Sequence, residues 1–407
     1  MGTRPEADAD KPQGTWAEVL AAFLRLGVTS FGGPVAHLGY FRQDVVERRR
    51  WLDERAYADL VALCQFLPGP ASSQVGIGIG LYRAGIPGAF AAWLGFTLPS
   101  ALALALFAAG VERLGGATGA GWLHGLKVAA VAVVALAVWG MAGTMANDRP
   151  RATLAIVSAA LVFAVPGVAG QLGAILLGGL VGALLLRGGT ADGAVATPSP
   201  LRHGWKLGGA FIVLFFLLLI GLPIAASHWP DRTLAVASAF YGAGSLVFGG
   251  GHVVLPLLRA MVVPTGWVGD TLFLAGYGAA QAVPGPLFTF AAYLGFVLDA
   301  PPNGWAGAAL CLGAIFLPSF LLVFGVLPFW ERLRGRPGAQ AALRGVNAAV
   351  VGLLLAALYD PVWKSAISTA GDFVLAGAAL VLLAIWKLPP WLVVIFCALG
   401  GAGLASL

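Results

Sequence analysis

The sequence repeats itself, and that repeat constrains the fold more than any other feature. Ser30–Pro34 (SFGGP) returns as Val247–Gly251 (VFGGG), Gln65–Pro70 (QFLPGP) as Gln281–Pro286 (QAVPGP), and Phe96–Ser100 (FTLPS) as Ile315–Ser319 (IFLPS). Trp51 returns as Trp267, the GLKVAAV run from Gly125 as GVNAAVV from Gly345, Arg149-Pro150 as Asp360-Pro361, and Phe163–Gly167 as Trp386–Pro390. The order is kept, and the offset drifts only from about 211 to 223 residues. Two copies therefore fill nearly the whole chain, over 16–187 and 234–407. A polar tail (1–15) precedes them, and a linker (188–233) with one unpaired apolar segment at about 207–227 separates them.

Composition decides where such a chain can fold. Of its 407 residues, 59% are hydrophobic and 10% charged, with a mean hydropathy of +0.87. A soluble domain carries roughly 25% charged residues, so this chain cannot cover a water-facing surface. Apolar runs such as Val128–Met141 and Phe211–Ile220 suit a hydrocarbon core about 30 Å thick. The 58 glycines and 25 prolines suit close helix packing and deliberate helix breaks in a membrane. Spans are predicted at about 87–109, 122–146, 152–165 and 168–187, with counterparts at about 305–329, 345–359, 369–387 and 390–405. One extra crossing between two copies of even parity turns the second copy upside down. The expected fold is thus an all-α polytopic membrane protein of two inverted-topology repeats joined by one transmembrane helix, the plan of many secondary transporters.

The net charge of +6 lies in short loops, where basic residues set orientation and do not signal nucleic acid. Counting crossings from Arg187 and the linker residues Arg202 and Lys206 puts Arg83, Arg149, Arg151, Lys387 and the Arg332, Arg334, Arg336, Arg344 cluster in the cytoplasm. Arg113 and Asp231 then lie outside. The basic loop Arg42, Arg48, Arg49, Arg50, Arg55 obeys the same rule if the chain before it doubles back. Re-entrant hairpins are therefore expected, one from 16–30 to 35–50 turning at Gly32-Gly33-Pro34, and one over 54–83 turning at Pro68-Gly69-Pro70. The second copy mirrors them at Gly249-Gly250-Gly251 and Pro284-Gly285-Pro286; broken helices inside full spans keep the same parity. The resulting expectation is a multi-pass protein of the bacterial inner membrane, N-terminus cytoplasmic and C-terminus periplasmic or extracellular. The polar start implies no cleaved signal peptide. Cys64, Cys311 and Cys397 lie singly, so neither a metal site nor a disulfide framework is expected.

The four Gly/Pro breaks are where chemistry is expected. Interrupted helices in inverted-repeat transporters converge near the midplane. A helix that begins inside the membrane offers orphan N–H groups and the positive end of its dipole, which together favour an anion. Hydroxyls and amides follow the breaks: Ser72 and Ser73 after Pro70, Thr289 after Pro286, with Gln65 and Gln281 ahead of the two Pro-Gly-Pro turns and Ser30 ahead of the first glycine break. His37 and His252 flank the glycine breaks, and Arg25 precedes the first. Each residue taken singly also suits a helix cap or packing contact; the duplicated placement favours a site. Lys127 opens an apolar run and matches Asn347, so this pair is a candidate for charge or coupling. Walker, zinc, nucleophile-elbow and dinucleotide motifs are absent from the sequence, and no cofactor is expected.

Phe31–Pro34 (FGGP), Gly39–Val46 (GYFRQDVV), Arg48–Glu54 (RRRWLDE) and Gln65–Pro70 resemble the chromate ion transporter family, two-domain type. The second copy matches through Phe248–Leu258 (FGGGHVVLPLL) and Gln281–Pro286. This resemblance implies export of chromate from the cytoplasm and resistance to it, with sulfate, an isosteric dianion, competing or coupled. It places the anion at the FGGP turn, at Gln65–Pro70 and at their second-copy equivalents. Gly251 in place of Pro34, and Asn347 in place of Lys127, depart from strict equivalence of the halves. The expected partners are a small oxyanion and membrane lipids, and a homodimer is compatible with the sequence. A sulfate carrier, an anion channel and a lipid-phosphate flippase remain as alternatives. A membrane enzyme lacks the paired acids that chemistry would need.

Overall fold

The computed structural model describes residues 14–31, 33–114, 120–186, 205–248, 251–330 and 336–405. Among these residues every regular element is helical. The first repeat opens with α1 (Trp16–Thr29), started by the Thr15 side chain accepting the Glu18 N–H. The next helix is α2 (Gly33–Arg42), which widens into a π turn over Gln43–Arg48. Asp53 caps α3 (Glu54–Phe66), and α4 (Ala71–Leu114) begins directly after the Pro-Gly-Pro turn. At Ala84–Gly85 α4 leaves helical geometry, with Gly85 at φ +65°, and its two arms fold against each other. A Cβ on Gly80 would come within 2.2 Å of the Gly88 carbonyl oxygen, so only glycine permits that approach. Three further helices follow: α5 (Ala120–Met145), α6 (Arg149–Ala164) and α7 (Val168–Leu185).

The connecting helix α8 (Trp205–His228) packs on α9 (Arg232–Leu246) and α13 (Gly304–Val326), and leaves Val213, Leu217 and Ile220 exposed. Between α9 and α13 lie the short helices α10 (Val254–Val262), α11 (Asp270–Ala280) and α12 (Phe290–Phe296). The second repeat closes with α14 (Pro337–Ala357), α15 (Ala370–Ala384) and α16 (Pro390–Leu404). Among the described residues, six helices are long and apolar enough to cross a membrane. This is an all-α, multi-pass membrane protein of two repeats.

Two details depart from the sequence reading. The helix expected at 345–359 starts earlier, at Pro337, because a proline in the first turn gives up no needed N–H and presets φ. It then runs through a π segment, Leu358–Trp363, where Asp360 departs from helical angles ahead of Pro361. Arg149-Pro150, its partner in the repeat alignment, instead starts α6. That sequence match is therefore not a structural one.

The repeats are interleaved rather than side by side. α5 lies along α16, and α7 lies along α14, so each repeat's long helix meets the other repeat's last helix. Small residues make both contacts. A Cβ on Gly125 would come within 2.1 Å of the Cys397 carbonyl oxygen, and one on Gly345 within 2.0 Å of the Gly178 carbonyl oxygen. Without a hydrophobic drive between helices in lipid, such close backbone approach supplies much of the association. The short helices differ in setting. α10 packs against α7 and α14, and α11 against α5, whereas α2 and α3 lean on α4.

Candidate functional site: crossed helix breaks around a polar cavity

The breaks of one repeat are completed by the other. The Gly285 N–H donates to the Ser30 carbonyl at 2.9 Å, and the Gly69 N–H donates to the Val247 carbonyl at 2.6 Å. Ser30 and Val247 are equivalent positions, as are Gly69 and Gly285, so the two bonds form a pseudo-symmetric cross. Both glycines hold positive φ, +119° at Gly69 and +93° at Gly285. Each also faces the other repeat's Pro-Ser pair: a Cβ on Gly69 would lie 3.2 Å from Ser319 Oγ, and one on Gly285 2.9 Å from Ser100 Oγ. A third approach joins the glycine breaks, since a Cβ on Gly251 would lie 3.6 Å from Pro34 Cγ.

A cavity of about 160 Å³ opens at this junction, lined by Gly33, Pro34, His252, Gln281 and Gly285, with apolar walls from α5, Leu383 and Pro390. A water occupies about 30 Å³ in the liquid, so the space suits an ion of five heavy atoms. His252 Nδ1 is hydrogen-bonded to the Tyr277 hydroxyl at 2.8 Å. On the first-repeat side, His37 Nδ1 and Ser72 Oγ are hydrogen-bonded at 3.3 Å, and the His37 ring meets Phe96 edge-on. Gln74 Nε2 donates to the Pro68 carbonyl at 2.6 Å, which closes the Pro-Gly-Pro turn.

Six buried polar atoms near these contacts have no partner: Ser30 Oγ, His37 Nε2, Ser73 Oγ, Gln74 Oε1, Thr97 Oγ1 and Ser319 Oγ. A buried group left without a hydrogen bond costs about 1–3 kcal/mol. Their concentration beside the crossed bonds marks a place suited to a polar guest. In the second repeat Ser319 Oγ is the one such atom of these six, and its other hydroxyls here are satisfied. Thr289 Oγ1 donates to the Pro286 carbonyl, and Ser245 Oγ to the Tyr241 carbonyl.

Other expected site residues lie apart. Gln65 is exposed on α3, while Pro70 and Pro286 are buried. Pro284 is half-buried at the turn. Gly32, Gly249 and Gly250 lie outside the described residues. The Arg25 side chain is 58% exposed and faces Asp44, which also accepts from Arg49 Nε at 2.6 Å, in a surface recess shared with Thr29 and Tyr40. Lys127 Nζ donates to the Ser365 carbonyl at 3.1 Å, and Asn347 is half-buried on α14; neither lines the central cavity. Ser100, Ser319 and Thr97 were not singled out from sequence. The signal for them was the recurring Pro-Ser pair of FTLPS and IFLPS.

A family model described as chromate transporter matches residues 17–183 and again 234–402. The chain belongs to the chromate transporter family. It is 31% identical over 411 residues to the chromate transport protein of Pseudomonas aeruginosa, covering 98% of this chain and 95% of that one. The chromate transport protein of Cupriavidus metallidurans is 27% identical over 358 residues, covering 85% of this chain and 82% of its own. The probable chromate transport protein of Synechococcus elongatus is 27% identical over 392 residues, covering 93% of both. No solved structure matches the chain. In this chain both matched segments contain one glycine break and one Pro-Gly-Pro turn, the elements that the crossed hydrogen bonds join.

Proposed function

We propose that this protein exports chromate across the inner membrane and so confers resistance to it. The anion would bind at the crossed breaks. The observation that carries this reading is the pair of bonds Gly69 N–H to Val247 and Gly285 N–H to Ser30, with the cavity of about 160 Å³ against Gly285 and Pro34 and unpartnered buried hydroxyls around the same bonds. N–H groups, hydroxyls and the positive ends of α2 and α4 stabilise a dianion without a buried cation. The repeats, 16–187 and 234–407, rock about this cross and open the cavity to each face in turn, with the N-terminus cytoplasmic and the C-terminus outside. The membrane potential favours efflux, at about 2.3 kcal/mol per charge per 100 mV. Two charges at about 100 mV give about 4.6 kcal/mol, enough for facilitated efflux without a coupled cation. Sulfate has the same shape and charge and should compete.

The test is labelled chromate uptake into everted vesicles, with and without excess sulfate, and with the potential and the pH gradient collapsed separately. Saturable, protein-dependent uptake blocked by sulfate is expected, and it should fall when the potential is removed. Absence of protein-dependent flux under every gradient would sink the proposal.

A further inference from the structure

At the end of the molecule where α5 and α15 begin and α16 finishes, a second and larger cavity of about 580 Å³ is lined by His124, Lys127, Thr271, Ser368, Thr369 and Asp372 among others. Its polar groups come from distant parts of the chain. His124 Nε2 pairs with Asp372 Oδ1 at 2.8 Å across the repeats. Asp372 Oδ2 accepts the backbone N–H groups of Ser368 and Thr369 at 3.1 and 2.9 Å. Both oxygens of this carboxylate are thus engaged and the His124 ring is fixed through Nε2, so that as an imidazolium it would present Nδ1–H to an anion. Lys127 Nζ has three donors, and one of them goes to the Ser365 carbonyl. Asp270, beside Thr271 at the start of α11, pairs with Arg259 Nε at 2.8 Å.

The helices that line this cavity are the ones that reach the central one. α5 contributes Lys127 here and Val133 there; α15 contributes Asp372 and Leu383; α16 contributes Gly401 and Pro390; α11 contributes Thr271 and Ala280. At 1.5 Å per residue, these separations are about 9 Å on α5 and about 16 Å on α15 and α16. The same four helices therefore line both cavities, with the crossed breaks towards one end of them and the Lys127–His124 pair towards the other.

We propose that Lys127 and His124, with the hydroxyls of Thr271 and Thr369, form a second oxyanion site at this mouth of the transport route. Asp372 acts as a positioning residue that holds the His124 ring. This inference rests on the transporter reading above, in whose topology the mouth faces outward. Asn347 takes the place of Lys127 in the other repeat, so the opposite mouth has no equivalent lysine.

The test uses full-length protein in right-side-out and everted vesicles, with chromate as the probe. Lys127→Gln should raise the half-saturating chromate concentration about tenfold at the outer face, as expected for loss of a charge-assisted contact, and leave the cytoplasmic face within twofold. Lys127→Arg should restore the outer value, and His124→Gln should show a smaller shift of the same sidedness. An equal shift at both faces, accompanied by a lowered Tm, would mean that Lys127 only ties α5 to the Ser365 carbonyl, and would overturn the proposal. So would unchanged kinetics in Lys127→Gln while the wild type transports. A wild type without chromate flux overturns the transporter reading itself, and this site with it.

Discussion

Where the first repeat follows its Pro-Gly-Pro turn with Ser72, Ser73 and Gln74, the second has Phe288, Thr289 and Phe290. His37 corresponds to Val254, and Thr97 to Phe316. Phe290 stands among the rings of Phe273, Tyr277 and Tyr293, with centroids 5.2, 5.8 and 5.9 Å away. Of the thirteen buried residues of α10 and α12, six and seven respectively, only Tyr293 has a polar side-chain atom, and its hydroxyl donates to the Leu272 carbonyl, by contrast with the unpartnered hydroxyls and amide of the first repeat. Duplication kept the backbone plan and divided its chemistry. The first repeat leaves five of the six buried polar atoms at this junction unpaired at a cost in stability; the second leaves Ser319 Oγ and is otherwise packed there as an apolar support. A site that must bind and release an anion needs polar groups that are not already committed, and a rigid wall against which to present them.

The most severe way to break that comparison is to attack what the two repeats share. Gly69→Leu and Gly285→Leu each place a side chain at positive φ, which costs about 1–3 kcal/mol in strain alone, and push it onto the opposing serine. Each should reduce chromate flux about a hundredfold at normal membrane abundance, measured in vesicles. If only one of the two abolishes flux, the cross is not a shared element. The next test exchanges character between the repeats. Phe290→Gln removes ring packing and buries an amide, and should destabilise by about 3 kcal/mol, seen as a lower Tm in detergent. Gln74→Leu removes an unpartnered buried oxygen but also the Nε2 bond that closes the Pro-Gly-Pro turn, two effects of about 1 kcal/mol and opposite sign, so Tm should shift little while flux falls about tenfold. Full flux in Gln74→Leu would remove the first repeat from the binding role.

The smallest effect lies outside the candidate membrane spans, between the end of α2 and the start of α3. Arg42 Nε donates to Glu54 Oε1 at 2.8 Å, and that bond holds the Glu54 carboxyl below its ordinary range. A depressed folded-state pKa contributes stability above the unfolded value, about 4.3 for Glu, and that contribution is lost as pH falls through the folded value. Glu54→Gln should therefore lower Tm slightly at pH 7 and not at all at strongly acidic pH. The pair is fully exposed, so a pH-independent difference would point to packing instead of charge.

Much of the helix plan was legible in sequence because its punctuation is chemical. The glycine break before Pro34 and the two Pro-Gly-Pro turns interrupt the helices at the places read from the sequence. Composition required a membrane. The early start of α14 was obscured because Arg336 and Arg344 read as a loop, whereas Pro337 starts a helix between them. The central site was half legible. Its breaks could be named, but a repeat offset does not say which break meets which, and only the fold shows that Gly69 reaches Val247 rather than Ser30. His124 and Asp372 could not be paired in advance, since they stand 248 positions apart and no local pattern links them.

The crossed bonds also impose an order on biosynthesis. The acceptor for Gly69, Val247, is translated 178 residues later (247 − 69). At about 5–20 residues per second, the first repeat waits roughly 10–35 s in the membrane with its Pro-Gly-Pro break unanswered. The nascent protein must therefore shelter polar groups from lipid until its second half arrives, and a ribosome stalled within the linker would leave behind an inserted half-protein with its Pro-Gly-Pro turn unpaired.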